Sequence, residues 1–197
     1  IEFTSNGKSL VLGRFGKRAF EKGDSILTNE SLKNTLKEIR KSDNVRYAKV
    51  SLPEEETYLF TTEVTGDTES EIKEFIEFHL EENVPILGSE SLFDYYLLPK
   101  LDNKNIAVVS VVSREVVNRY TSLLEECGIT PVSFMVESGA LSRAVVSKNY
   151  TGTHLLVYLS REKTMIAVVE DGFVQFSSTS NFGGGELTSA IQKQFGV

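Results

Sequence analysis

Apolar residues recur along this chain with two periods, one helical and one of strands, and the switches between them lay out its elements. Leu32, Leu36 and Ile39 fall at i, i+4 and i+7, which predicts an amphipathic helix with Asn29 or Thr28 capping its first amides. Val45 to Leu52 and Tyr58 to Val64 are rich in β-branched and aromatic residues and predict two strands. Pro53 and three glutamates lie between them and suit an exposed turn. Thr68 with Glu71 makes a capping-box pattern, and Ile72, Phe75, Ile76, His79 and Leu80 behind it share one helical stripe. Glu74, Glu77 and Glu81 occupy the opposite face, the pattern of a solvated surface.

Pro85 stops that helix, and Phe93 to Leu98 and Ile106 to Val112 read as strands around a polar turn from Asp102 to Asn105. Ser113 opens a helix that runs through Cys127, with Gly128 placed for a left-handed C-terminal cap. A strand from Pro131 to Val136, a helix from Glu137 to Ser147 and a polar connection from Tyr150 to His154 follow. Strands at Leu155 to Leu159, Thr164 to Val169 and Phe173 to Ser178, the last two joined at Asp171-Gly172, lead to a final helix bearing Leu187, Ile191 and Phe195. At the other end Asn6-Gly7 suits a type I′ turn between Ile1-Glu2-Phe3 and Leu10-Val11-Leu12, followed by a loop at Gly23-Asp24.

Composition narrows the chemistry. The 197 residues are 40% hydrophobic and 25% charged, ordinary for a globular chain, and none of the apolar runs has the length of a membrane span. One cysteine, Cys127, excludes an internal disulfide, and with His79 and His154 it makes no cluster at metal-ligand spacing. Cys127 lies on an apolar stripe and reads as a core residue, His79 as a core or boundary histidine, and His154 as an exposed residue ahead of a buried strand. The net charge of −7 is uneven: residues 1–50 hold eleven Lys/Arg against six Asp/Glu, and residues 51–82 hold eleven acids against Lys73. The basic excess comes with no nucleic-acid-binding motif, and no Walker-type loop is present.

The order of certain segments resembles the type IV pilus assembly protein PilM family and the wider actin-like group that includes the division protein FtsA. Ser113-Arg114-Glu115-Val116-Val117, then Leu123 to Ile129, Pro131-Val132 and Glu137-Ser138 are similar to the family's helix, strand, helix passage. Glu77 to Leu98 is similar to its inserted subdomain, and Gly184-Gly185-Glu186-Leu187-Thr188 to its Gly-Gly-Glu-x-Thr helix start. The resemblance implies an α/β, actin-like (ribonuclease H-like) fold with mixed sheets and flanking helices. Core subdomain, inserted α/β subdomain, return to the core and an incomplete second lobe would occupy residues 1–65, 66–130, 131–152 and 153–197. A chain that begins at Ile1 without an initiator methionine is expected to be a piece of a longer one.

Members of this group hold ATP on two Asp-x-Gly hairpin loops and a later glycine-rich turn, with Mg²⁺ organised by the aspartates. On this resemblance the first loop would precede Ile1 and the adenosine segment would follow Val197. The second loop would fall at Val157 to Ser160, where Tyr158 stands at the aspartate position and Ser160 at the glycine position. A phenol offers no hard anionic ligand for Mg²⁺, and a side chain obstructs the close approach of backbone to phosphate. Vestigial cofactor-binding groups remain at Thr164, Gly183, Gly184 and Gly185, which offer a hydroxyl and a helix N-terminus to an anion, or else serve hairpin and helix-start geometry alone.

No catalytic residue, metal site or cofactor is therefore expected in this chain, with ATP and Mg²⁺ left open for a full-length parent. The expected role is a cytoplasmic scaffold of type IV pilus assembly, held at the inner membrane by the N-terminal peptide of a PilN-like partner, alongside other pilus assembly proteins. Its peptide cleft would be walled by segments near Ile72 to Leu87 and by core strands. Two alternatives stand: an actin-like ATPase completed by the parent, and the cytoplasmic domain of a type II secretion protein of the same fold.

Overall fold

A computed structural model describes residues 3–5, 10–13, 15–18, 29–98, 105–147 and 151–196. The expected turns at Asn6-Gly7 and at Asp102 to Lys104, the loop at Gly23-Asp24 and the start of the connection at Tyr150 lie outside the described residues. In chain order the elements are β1 (Phe3–Ser5), β2 (Leu10–Leu12), α1 (Glu30–Ser42), β3 (Tyr47–Leu52), β4 (Thr57–Val64), α2 (Glu69–Asn83), β5 (Ser91–Leu97) and β6 (Asn105–Ser113). Then come α3 (Arg114–Glu126), β7 (Thr130–Val136), α4 (Glu137–Val145), β8 (Thr153–Leu159), β9 (Thr164–Glu170), β10 (Phe173–Ser180) and α5 (Gly184–Phe195). Strands β1 and β2 pair antiparallel with Phe3 opposite Leu12, and β3 pairs with β7.

The chain divides into two compact units, Ile1–Ala48 with Arg119–Pro131 and Lys49–Asn118 with Val132–Val197. In the first, Asn29 caps α1 by accepting the Leu32 amide at 2.9 Å. Lys33 donates to Glu126 at 2.8 Å, and the Arg40 guanidinium to the Gly128 carbonyl at 2.9 Å. Gly128 takes the left-handed φ of 73° that a helix end favours. Cys127 is buried beside Leu123, Leu124 and Ile129, and burial raises its thiol pKa, as suits an inert core residue.

The second unit contains two three-stranded antiparallel sheets. In the first, ordered β4-β6-β5, Phe60 and Tyr95 both lie opposite Val109. Helix α2 covers it, and Ile72, Ile76, Leu80 and Val84 join Val64, Ala107, Val109 and Val111 in one core. The capping box forms as the sequence predicts: Thr68 accepts from Glu71, and the Glu71 carboxylate accepts from the amides of Asp67 and Thr68 at 2.9 and 3.1 Å. The second sheet, β10-β9-β8, turns between β9 and β10 at Asp171 (φ 49°) and Gly172 (φ 85°), the positive pair of a type I′ turn. One face packs Ala167, Val169 and Val174 with Leu59, Val146 and Leu156. The other face leaves Leu155, Val157, Leu159, Ile166 and Phe176 exposed. This corrects the expectation of a fully buried strand after His154, which is itself half-buried rather than exposed.

Candidate functional site

The hairpin between β8 and β9 carries the residues that the sequence singles out. Its turn is closed by Ser160, whose amide and hydroxyl both donate to the Lys163 carbonyl at 2.9 Å while its oxygen accepts the Lys163 amide at 3.1 Å. Where a phosphate-binding turn would present free amides to a ligand, this one uses a serine hydroxyl as an internal tie. Tyr158 lies on β8 opposite Met165, with 38% of its surface exposed.

The start of α5 docks on the same turn. The Gly184 amide donates to the Ser160 carbonyl and the Gly185 amide to the Arg161 carbonyl, both at 2.8 Å. The Gly183 amide donates to the Glu186 carboxylate at 2.8 Å, and the Thr164 hydroxyl to the Phe182 carbonyl at 2.6 Å. Thr164, Gly183, Gly184 and Gly185 are thus brought together, and each of these four donors has an acceptor within the chain. Gly183 has an ordinary φ of −136°, so its glycine is not explained by backbone conformation. A Cβ there would lie 2.4 Å from the Arg161 carbonyl oxygen. Close packing of α5 against the hairpin accounts for the residue.

Beneath this turn lies a cluster of charge that local sequence does not announce. Helix α4 is preceded by Val136, which has no side-chain acceptor with which to cap it. Glu54, in a short 3₁₀ turn over Glu54–Glu56, supplies the cap from 84 positions away: it accepts the Ser138 amide and the Ser138 hydroxyl, each at 3.0 Å. The Ser177 hydroxyl on β10 also donates to Glu54. Glu54 is 9% exposed, which corrects the expectation that all three glutamates sit on an exposed turn. A non-capping valine before Glu137-Ser138 was the available signal that a cap had to come from elsewhere.

Lys163 joins the same elements through charge, its ammonium 2.7 Å from Glu137 and 3.0 Å from Glu55. Burial opposes that charge, the two carboxylate hydrogen bonds outweigh it, and the lysine pKa is held above its ordinary value. The result is a fixed cation between two carboxylates, with a capped helix end beside it. Neither histidine extends this cluster into a nucleophile and base: His79 on α2 bonds the Phe75 carbonyl through Nδ1 at 2.9 Å and stacks on the Phe75 ring, and His154 lies on β8. Among the described residues, no three His, Cys, Asp or Glu side chains gather in metal-binding geometry. Two open hollows lie elsewhere in this unit, one of about 440 Å³ beside Gly66, Asp67, Phe75 and Asn105 and one of about 390 Å³ beside Glu90, Arg114 and Asn118.

The family model of the type IV pilus assembly protein PilM matches residues 1–197. Among solved structures, the chain is similar to one in the PilM-PilN type IV pilus biogenesis complex, with a TM-score of 0.74 and 18% identity over 100% of this chain and 62% of that one. It is also similar to the cytoplasmic domain of EpsL, an inner membrane component of the type II secretion system of Vibrio cholerae, with a TM-score of 0.55 and 15% identity over 76% of this chain and 56% of that one. No curated protein matches the sequence. The chain therefore spans less than two thirds of the length of either solved structure, and the mixed α/β, actin-like fold expected from its sequence is borne out.

Proposed function

The chain belongs to the type IV pilus assembly protein PilM family, and we propose that it serves pilus assembly as a static scaffold that holds the cytoplasmic N-terminal peptide of a PilN-like inner-membrane protein. The observation that carries the static part of this reading is the hairpin: its turn and the α5 start spend their donors on each other. Lys163 also places an ammonium between Glu55 and Glu137, where a divalent cation would have to displace it. With Tyr158 in place of an aspartate and Ser160 in place of a glycine, these residues do not fit a magnesium nucleotide, and no hydrolytic step runs through them. The peptide part rests on family membership and on the partner named with the similar structure. No helix among the described residues is long and apolar enough to cross a membrane, so membrane attachment in this reading comes through the partner. The type II secretion alternative has the weaker geometric likeness.

Calorimetry tests both parts. The N-terminal cytoplasmic peptide of the PilN-like protein from the same organism is expected to give a saturable heat, and Mg-ATP none. Absence of any peptide heat removes the scaffold reading, whereas saturable Mg-ATP binding that is lost in Lys163→Glu removes the static one.

A further inference from the structure

The inner face of the β8–β9–β10 sheet is apolar along β9 and turns polar along β10, where α4 lies on it. Ser177 and Thr179 of β10 stand opposite the buried Ala167 and Met165. Ser138 and Ser142 lie one turn apart on α4 at 0% and 1% exposure. Ser138 and Ser177 both donate to Glu54 Oε1, which fixes where helix and strand meet. Gln175, at the break in register between Val174 and Phe176, and Thr179 flank Ser177 on either side.

Three side-chain atoms around this meeting point are enclosed and have no hydrogen-bond partner among the described residues: Ser142 Oγ, Gln175 Nε2 and Thr179 Oγ1. The residues that carry them are about 6–7 Å along the chain from Ser138 or Ser177, one helical turn or two strand positions. Backbone acceptors beside them are already used, the Gln175 carbonyl by the Thr61 hydroxyl at 3.4 Å and the Ser142 carbonyl by the Val146 amide at 2.9 Å. Buried polar atoms in folded chains are almost always satisfied, by the protein or by ordered water. The chemistry of the site selects between possible occupants. A cation would face the Gln175 amide donor, and an anion would face the Glu54 carboxylate, itself 9% exposed. A small neutral molecule that both donates and accepts suits an amide donor and two hydroxyls together.

We propose that α4 is seated on the sheet through internal water, held by Ser142, Gln175 and Thr179 beside the Glu54 tie. The water accepts from the Gln175 amide and shares hydrogen bonds with the two hydroxyls. Helix and strand are thereby joined along a wet polar seam that extends the Glu54 tie in both directions, and the apolar packing begins beyond it, at Val146 and Val174.

Two measurements on the 197-residue chain test this. In paired NOE and ROE spectra, the side-chain amide protons of Gln175 are expected to show cross-peaks to water with the sign of a long-held molecule. Ser142→Ala and Thr179→Val each remove a hydroxyl that the water bridges, and each is expected to lower the folding equilibrium constant about fivefold in urea unfolding. In a dry seam the same changes would delete a buried hydroxyl that nothing satisfies, and folding would be unchanged or strengthened. Alanine is the better helix former and valine the better strand former, so both losses run against local propensity. Water cross-peaks at Gln175 together with a loss in both variants support the seam. Absence of those cross-peaks, or either variant folding as firmly as the wild type, would overturn it.

Discussion

The two three-stranded sheets of the larger unit share strand count and antiparallel pairing, yet among the described residues they differ in how much of each is buried. The β4-β6-β5 sheet lies under α2 and buries Ala107, Val108, Val109 and Val111 to 1% exposure or less. The β10-β9-β8 sheet buries Met165, Ala167 and Val169 on one side while its other side carries open leucine, valine and phenylalanine. Each sheet therefore has a helix on one face, α2 on the first and α4 on the second, and the two differ in the face opposite. Beside its apolar face, the second sheet is held by polar ties to its neighbours, through Glu54 to Ser138 and Ser177, through Lys163 to Glu55 and Glu137, and through Tyr96 to Val174.

The largest expected effect comes from opening the lid of the first sheet. Leu80 is fully buried, and Leu80→Ala is expected to cost about 4 kcal/mol through lost transfer energy and a residual cavity. Leu155→Ala, the same change on the open face of the second sheet, is expected to cost less than about 0.5 kcal/mol in the monomer. Urea unfolding of both variants checks the contrast, and equal losses would mean that the open face is covered within the monomer.

Next in size is the polar tie. Glu54→Ala strips the acceptor from the Ser138 amide and from two hydroxyls, and Ser138 itself is fully buried. A loss of about 3 kcal/mol is expected, with Glu54→Gln recovering about half because one acceptor oxygen remains. Native-state hydrogen exchange should place the loss in α4 and β10 while α2 keeps its protection. Uniform loss would show that both sheets unfold as one unit.

Those two residues also mark what the sequence discloses and what it withholds. Leu80 was legible because its stripe with Ile72 and Ile76 repeats at helical spacing behind a capping box, and all of that information lies within one element. Glu54 was not, because its partners are 84 and 123 positions away and three successive glutamates look alike until a helix end is brought to one of them. Leu155 to Leu159 failed for a different reason. The run Leu-Leu-Val-Tyr-Leu has no polar face, so alternation has nothing with which to mark the side that stays open. Gly183 and Gly185 were noticed, but the Arg161 backbone that crowds them is supplied only by the folded chain.

A smaller effect tests the join between the sheets. Tyr96 on β5 stacks on Phe173 at 4.5 Å and donates its hydroxyl to the Val174 carbonyl on β10. Tyr96→Phe keeps the ring and removes the donor, for an expected cost of about 1 kcal/mol. Burial raises the phenol pKa above its ordinary 10.0. Its contribution is therefore complete below pH 10 and is lost as pH rises toward the folded value, because the unfolded phenol ionises first. The wild-type chain should lose stability on alkaline titration more steeply than Tyr96→Phe, and identical slopes would mean that the hydroxyl is not held in solution.

The smallest effect discriminates between the sheets most cleanly. Hydrogen bonds from the amides of Asp67 and Thr68 hold the Glu71 carboxyl below its ordinary 4.5. With a folded pKa that is depressed, Glu71 contributes stability that is complete above pH 4.5 and is lost as pH falls through the folded value. The carboxylate is exposed, so salt and solvent screen much of this contribution, and the readout is local rather than global. Mild acid should first increase exchange at the amides of the opening turn of α2, around Ile72, while the β8–β9–β10 strands remain unchanged. Glu71→Gln, which can still accept through its amide oxygen but does not titrate, should abolish that acid step. If acid instead loosens β8 to β10 first, the cap is not what secures α2, and the hold of α2 on its sheet would have to rest on apolar packing alone.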